Sequence, residues 1–263
     1  MHPRETVAWL GFLLRTRTSP IGSSSKGFIF WESDIAKMNS IASWDWWTGK
    51  VDWYSPAGSL LQRFFATLPP ERRFRFTLYG SAPLQLTLDR SWLSADVDLF
   101  SDDDEDLNEL VRRAGLAKEQ GTFYLEPGFA LSFRTTSHWR SRAKTAELGN
   151  VAITIPHPLD ILIGKLDRLD EKDLKAFRMV IKLTGHPTAD EFKRELQNAV
   201  DLFRPSFDEE SPNRYPNNTR RLWRELWNAE IDIRRDIIAP ALARREQGYG
   251  EPPPNYKRVL GEL

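Results

Sequence analysis

The sequence predicts an α+β fold: a sheet flanked by helices, followed by a helical C-terminal extension. Three observations carry this expectation. Short alternating or apolar stretches at 74–80, 96–100, 122–133 and 150–155 read as strands, and segments with 3.6-residue apolar spacing lie between and after them. Beyond residue 189 only helical spacing remains. The expected divisions are an N-terminal extension over 1–55, partly irregular and Trp-rich at its end, a central domain over 56–200, and the helical extension over 201–263.

The first 37 residues show no sustained period and include the loop-like SPIGSSSKG at 19–27. Met38 stands where the pattern changes, so the reading is an extension or a misassigned start. Trp44, Trp46, Trp47 and Trp53 then cluster around a Thr48-Gly49 turn, a hairpin or loop packed on the core rather than a base-stacking platform. Leu60, Leu61, Phe64, Phe65 and Leu68 predict a helix that Pro69-Pro70 ends. FRFTLYG at 74–80 alternates as a strand, a turn or short helix begins at Pro83, and Asp96–Phe100 is a second strand. Leu107, Leu110, Val111 and Ala114 mark the next helix.

TFYLEPGFALSF, 122–133, predicts two strands joined at a Glu126-Pro127-Gly128 turn. A basic connector, SHWRSRAK, leads to the strand NVAITI, and Leu159, Leu162, Ile163 and Leu166 define a helix entered through His157-Pro158. Helical spacing returns at 189–203 and 219–247, with a break or kink expected at Pro240 in the second.

Composition narrows the function classes. The 263 residues contain 37 basic and 37 acidic side chains and no cysteine, which excludes a disulfide scaffold, a Cys-based zinc site and a chain-wide nucleic-acid footprint. No apolar run approaches the roughly 20 residues that span a bilayer. The start has a short apolar core from Val7 to Leu14, but Arg15 and Arg17 follow where small cleavage-site residues would stand. A cytoplasmic protein without a membrane partner is expected.

The chemistry concentrates in GSAPLQLTLDRSWLSADVDLF, 80–100. Residues two apart on a strand share a face, so Asp96 and Asp98 project together and Val97 and Leu99 oppose them. Paired carboxylates repel unless a cation sits between them, and magnesium, an oxygen-seeking ion that keeps positions for phosphate and water, is the natural occupant. Gly80 and Ser81 end the preceding strand, where a missing side chain admits a phosphate and a hydroxyl adds a donor. Adjacent metal and phosphate subsites suit nucleotidyl transfer from an NTP.

Gly-Ser at 80–81 followed by DVD at 96–98 resembles the signature of the polymerase-beta-type nucleotidyltransferase superfamily. PHPLDILIGKLDRLDEKDL, 156–174, is similar to a helix of bacterial nucleotidyltransferase-like proteins related to the AbiEii and MenT toxins. The resemblance covers about residues 56–200 and implies a mixed sheet, with Asp96, Asp98, Lys165 and Asp173 as catalytic residues and Asp96 and Asp98 as magnesium ligands. Gly80, Ser81 and Lys165 would contact the NTP phosphates, and the acceptor would be a tRNA or protein hydroxyl, in a toxin–antitoxin setting with an antitoxin partner. Eight residues turn a continuous helix through about 800°, which leaves Lys165 and Asp173 about 80° apart and able to serve one cleft.

One departure stands out. The superfamily supplies a third carboxylate from a later strand, yet the strand expected here, Phe129–Phe133, has none; Ser132 takes the alternating position and Glu126 sits at the expected turn. An active transferase and a catalytically silent nucleotide-binding or protein-interaction module with the same fold both stay open.

The acidic run 102–106 reads as a solvated loop that favours the next helix N-terminus, with Ser101 as cap. Arg134, Arg140, Arg142 and Lys144, with His138 and Trp139, form a basic patch open to two readings, a phosphate or RNA guide and a solvated connector. His157 reads as a turn residue. In the last third Arg and Glu/Asp interleave on exposed helices, while Trp223 and Trp227 share a docking face.

Overall fold

Four strands form at the stretches read as strands and a fifth at Lys144–Leu148, and they assemble into a five-stranded mixed sheet of order β3-β2-β1-β5-β4. The strands are β1 (Phe74–Leu78), β2 (Asp96–Ser101), β3 (Tyr124–Pro127), β4 (Lys144–Leu148) and β5 (Val151–Ile155). β1 runs antiparallel to β2 and parallel to β5; β2 runs parallel to β3, and β4 antiparallel to β5. The computed structural model describes residues 44–92, 94–103, 105–206 and 212–249. These belong to one unit, Ile41–Leu263, so the reading of residues 1–37 as an extension lies outside the described residues. No described helix is long and apolar enough to cross a membrane.

Each sheet face carries its own core. On one, Phe74, Phe76, Val97, Leu99, Val151 and Ile153 pack with helices α1 (Pro56–Phe65) and α3 (Leu107–Arg113). The short helix α2 (Ala82–Thr87) follows β1, and its Leu84 joins Phe100 in the other core, with α4 (Pro158–Lys165), α5 (Glu171–Thr184), α6 (Ala189–Asn198) and α7 (Tyr215–Trp227). Caps set the starts: the Ser55 hydroxyl accepts the Gly58 N–H at 3.1 Å with Pro56 in the first turn, and Asp106, rather than Ser101, caps α3. Asp102, Asp103 and Glu105 pair with Arg140, Arg75 and Arg72, so the acidic loop is tied down by charge.

Four expectations are corrected. Residues 122–133 do not form a hairpin: Tyr124–Pro127 is a strand that pairs parallel to β2, and Ala130–Ser132 is a 3-10 turn. β4, a strand the sequence reading lacks, begins at Lys144, the last residue of the basic connector, and is closed onto β5 by Gly149 at φ +61°, a turn conformation that suits glycine. Lys165 and Asp173 do not share a continuous helix, because α4 ends at Lys165, Leu169 takes φ +46°, and Asp170 starts α5 as its N-cap. The last helical stretch breaks at Asn228, φ +48°, not at Pro240.

Pro240 is absorbed instead. A π-helical turn, Ile233–Ile238, runs into α8 (Ala239–Tyr249), and the Asp236 carbonyl that a proline nitrogen cannot serve accepts the Gln197 amide at 2.7 Å. Trp223 and Trp227 dock this region as expected, packing on Phe192 of α6.

The tryptophan-rich stretch packs on the core. Trp46 is buried, and Trp44 stacks on His157 at 5.1 Å and donates its indole N–H to that ring. His157 caps α4 by accepting the Leu159 N–H at 3.1 Å, which confirms it as a turn residue. Burial, aided by the charge of Arg142, pushes its pKa down to about 2. The folded protein therefore keeps a neutral ring while the unfolded chain binds a proton below pH ~6.5, so stability falls by about 1.4 kcal/mol per pH unit below that point. His157→Asn retains a capping oxygen without the titration. Its unfolding free energy is expected to lie below wild type at pH 7 and to fall by roughly 2–3 kcal/mol less than wild type's between pH 6.5 and 4.5, measured by urea unfolding.

Candidate active site

The site grows from the ends of β1 and β2. Gly80 follows β1 at φ +65°, and a Cβ there would lie 1.8 Å from Asp98 Oδ2, so both backbone conformation and space demand glycine. That contact seats the turn directly against the second aspartate. Ser81, nearly buried, leads into α2, and its hydroxyl accepts from Lys165 Nζ at 3.0 Å. The same ammonium reaches Asp173 Oδ1 at 3.0 Å. The break between α4 and α5, rather than one helical face, brings the two together.

Asp173 is fully buried. Besides Lys165, its carboxylate accepts from the Asp170 N–H at 3.2 Å and from Arg168 Nε at 3.3 Å. Asp173 thus holds Lys165 from behind while Ser81 meets it in front. Lys172, one residue earlier, donates to Ser94 Oγ at 2.9 Å, and Ser94 in turn donates to Asp96.

Asp96 and Asp98 alternate with the buried Val97 and Leu99, as the strand pattern requires. The parallel register sets Asp98 opposite Glu126 and Asp96 opposite Tyr124. Directly paired residues point to the same sheet face, so Glu126 joins the aspartates. Burial, with Asp96 and Glu126 adding like charge against the pull of Lys165 and Lys172, raises the Asp98 pKa to about 7. Tyr79 lines the same face: burial and the neighbouring Asp98 and Glu126 push its pKa up to about 12, and a Cβ on Gly128 would lie 1.9 Å from its hydroxyl oxygen.

The structure thus gathers Gly80 with Asp98, joins Ser81, Lys165 and Asp173, and couples Lys165 electrostatically to Asp98. Sequence reasoning missed Tyr79, Arg168 and Lys172 and placed Glu126 at a turn. The available signal was Pro127-Gly128, which ends a strand here instead of forming the middle of a hairpin.

Among the described residues, no group of three or more His, Cys, Asp or Glu side chains converges closely enough to hold a metal ion. The donor chemistry nevertheless fits a hard cation. The acids offer oxygen ligands only, and the proton that Asp98 holds up to about pH 7 is one a divalent ion would displace. No protein-family model, curated protein or solved structure matches the chain.

The basic patch does not act as a unit. Arg142 is drawn inward to Asp160 at 2.7 Å and Glu195 at 2.7 Å, leaving Arg134 and Arg140 half exposed in ion pairs with Asp167 and Asp102.

Proposed function

We propose that the chain is a magnesium-dependent nucleotidyltransferase that moves a nucleoside monophosphate from an NTP to a hydroxyl acceptor, a tRNA end or a protein side chain. The observation that supports this reading most is the pairing of Asp98 with Glu126, which adds a third carboxylate to the Asp96–Asp98 face. Asp96 and Asp98, with Glu126 beside them, are the residues that would hold magnesium. When bound, the ion would neutralise the triphosphate and align the attacking hydroxyl.

The chain's own groups supply the remaining roles. Gly80 lets the turn close against Asp98, where the sequence reading expected an opening for phosphate, and Ser81 and Lys165 present a hydroxyl and an ammonium to the triphosphate. Lys165 then offsets the negative charge that builds on the departing pyrophosphate. Asp173 and Arg168 fix the lysine's position. Glu126, on the strand farther from the phosphate turn, is the base that takes the acceptor hydroxyl proton. On the resemblance, we place the protein in the cytoplasm, in a toxin–antitoxin pair with an antitoxin as partner.

Incubating purified protein with each α-labelled NTP, magnesium, and tRNA or total protein tests this. Label is expected on the acceptor, abolished by Asp96→Ala or Asp98→Ala and lowered about 100-fold or more by Glu126→Gln. The wider spacing of the acids supports a second reading, a catalytically silent nucleotide-binding or protein-interaction module. Magnesium-dependent NTP binding without transfer would favour it; neither binding nor transfer by folded protein would overturn both.

A further inference from the structure

Among the described residues, the exposed large apolar side chains are Tyr54, Phe129, Leu131 and Leu183, and two of them share one loop: Phe129 is 73% exposed and Leu131 90%. The loop is fixed. The Gly128 N–H bonds the Leu99 carbonyl at 2.8 Å and the Ser132 N–H the Phe129 carbonyl at 2.8 Å, while Phe133 is buried with its ring against Tyr79 and Trp139. A backbone anchored on both sides therefore presents Phe129 and Leu131 to solvent.

Position gives the pair a purpose. From β1 through β2 to β3 the sheet carries, in order, the Gly80–Ser81 turn, the two aspartates and Glu126, and Phe129 begins three residues beyond Glu126. Displacement at phosphorus runs in line, with the attacking hydroxyl opposite the departing pyrophosphate. If pyrophosphate leaves over Ser81 and Lys165, the acceptor enters over β3.

The acceptor's chemistry follows from what surrounds this entry. Arg134 and Arg140 lie farther along the same connection with side chains 50% and 56% exposed, and Arg140 stacks 4.6 Å from the Trp139 ring. About half of each guanidinium side chain stays in solvent, where a phosphate can reach it. Exposed aromatic and apolar groups on the same chain segment as such cations suit a single strand, whose bases stack while its backbone tracks positive charge. A peptide has no comparable entry by strand addition: the Leu125 N–H is already bonded to the Leu116 carbonyl at 2.9 Å, and Pro127 has none to give.

Resting on the transferase reading, we infer that Phe129, with Leu131 beside it, is the seat for the unstacked base next to the reacting hydroxyl of a single-stranded nucleic-acid acceptor. The test measures binding of a fluorescein-labelled single-stranded RNA octamer with a free 3′ hydroxyl by anisotropy, and binding of magnesium with a non-hydrolysable NTP analogue by calorimetry. Phe129→Ala is expected to weaken RNA binding about 10-fold, Phe129→Trp to restore it, and both to bind the analogue as wild type does.

Unchanged RNA affinity in Phe129→Ala, or wild-type protein that binds a serine- and threonine-bearing peptide but not RNA, would overturn the seat and leave the transferase reading standing. Equal loss of RNA and analogue in Phe129→Ala would also overturn it, as a folding defect. Failure of wild-type protein to bind the analogue would sink the transferase reading, and the seat with it.

Discussion

Asp98→Asn is expected to unfold at a higher temperature than the wild-type protein at pH 8, to match it near pH 4, and to transfer no label. The Asp98 pKa stands at about 7 against 3.8 for an ordinary aspartate. Between these values the folded state keeps a proton that the unfolded chain gives up. Stability therefore declines as pH rises through this window, and the whole penalty, roughly 4 kcal/mol at about 1.4 kcal/mol per unit, is present above pH 7. Asparagine keeps the shape and removes the charge, so the variant should gain about 2–4 kcal/mol at pH 8, or roughly 5–10 °C in Tm.

Magnesium supplies the matching control. It should raise the melting temperature of the wild-type protein at pH 8 and leave Asp98→Asn unmoved, because ligand bound only to the folded state stabilises it. Thermal unfolding at the two pH values, with and without the ion, decides the matter. A variant less stable than wild type at pH 8 would show that Asp98 is a structural anion, not one held against repulsion for a cation.

Arg142→Leu should destabilise the protein by about 3–5 kcal/mol, because it strands two buried carboxylates. Arg142 Nε lies 2.7 Å from Asp160 Oδ2 and Nη1 2.7 Å from Glu195 Oε2, and both acids are fully buried. Thr135 and Thr136 also donate to Asp160 Oδ1, at 2.9 and 3.0 Å. Glu195 is less well served: Oε1 has no hydrogen-bond partner among the described residues, and burial raises its pKa, with Asp160 adding to the shift. Adding Glu195→Gln to Arg142→Leu should recover part of the loss by removing one of the stranded charges, as equilibrium urea unfolding would show. This network ties the segment before β4 to α4 and α6, so its failure would loosen the helices that position Lys165.

Much of this architecture is legible in the amino-acid order. Leu60, Leu61, Phe64 and Phe65 repeat with the period of a helix, and Val97 and Leu99 alternate with Asp96 and Asp98. These patterns depend on near neighbours, and the structure keeps them. Pro127-Gly128 misled because the same pair ends a strand as readily as it turns a hairpin, and local chemistry does not say which. Pro240 misled in the other direction, since the relief for its missing N–H comes from Gln197, 43 residues earlier.

The sequence by itself determined the α+β class, the shared face of Asp96 and Asp98 and the glycine turn before them, because strand alternation and left-handed backbone conformation are local properties. Only the tertiary structure decided that Glu126 stands opposite Asp98, that Lys165 and Asp173 meet across a helix break, and that Arg142 belongs to the interior. Pairing register and ion-pair choice join residues far apart in the chain. They are set by which side chains can be buried together, so Glu126, read from the sequence as a turn residue, comes to stand on the strand beside Asp98.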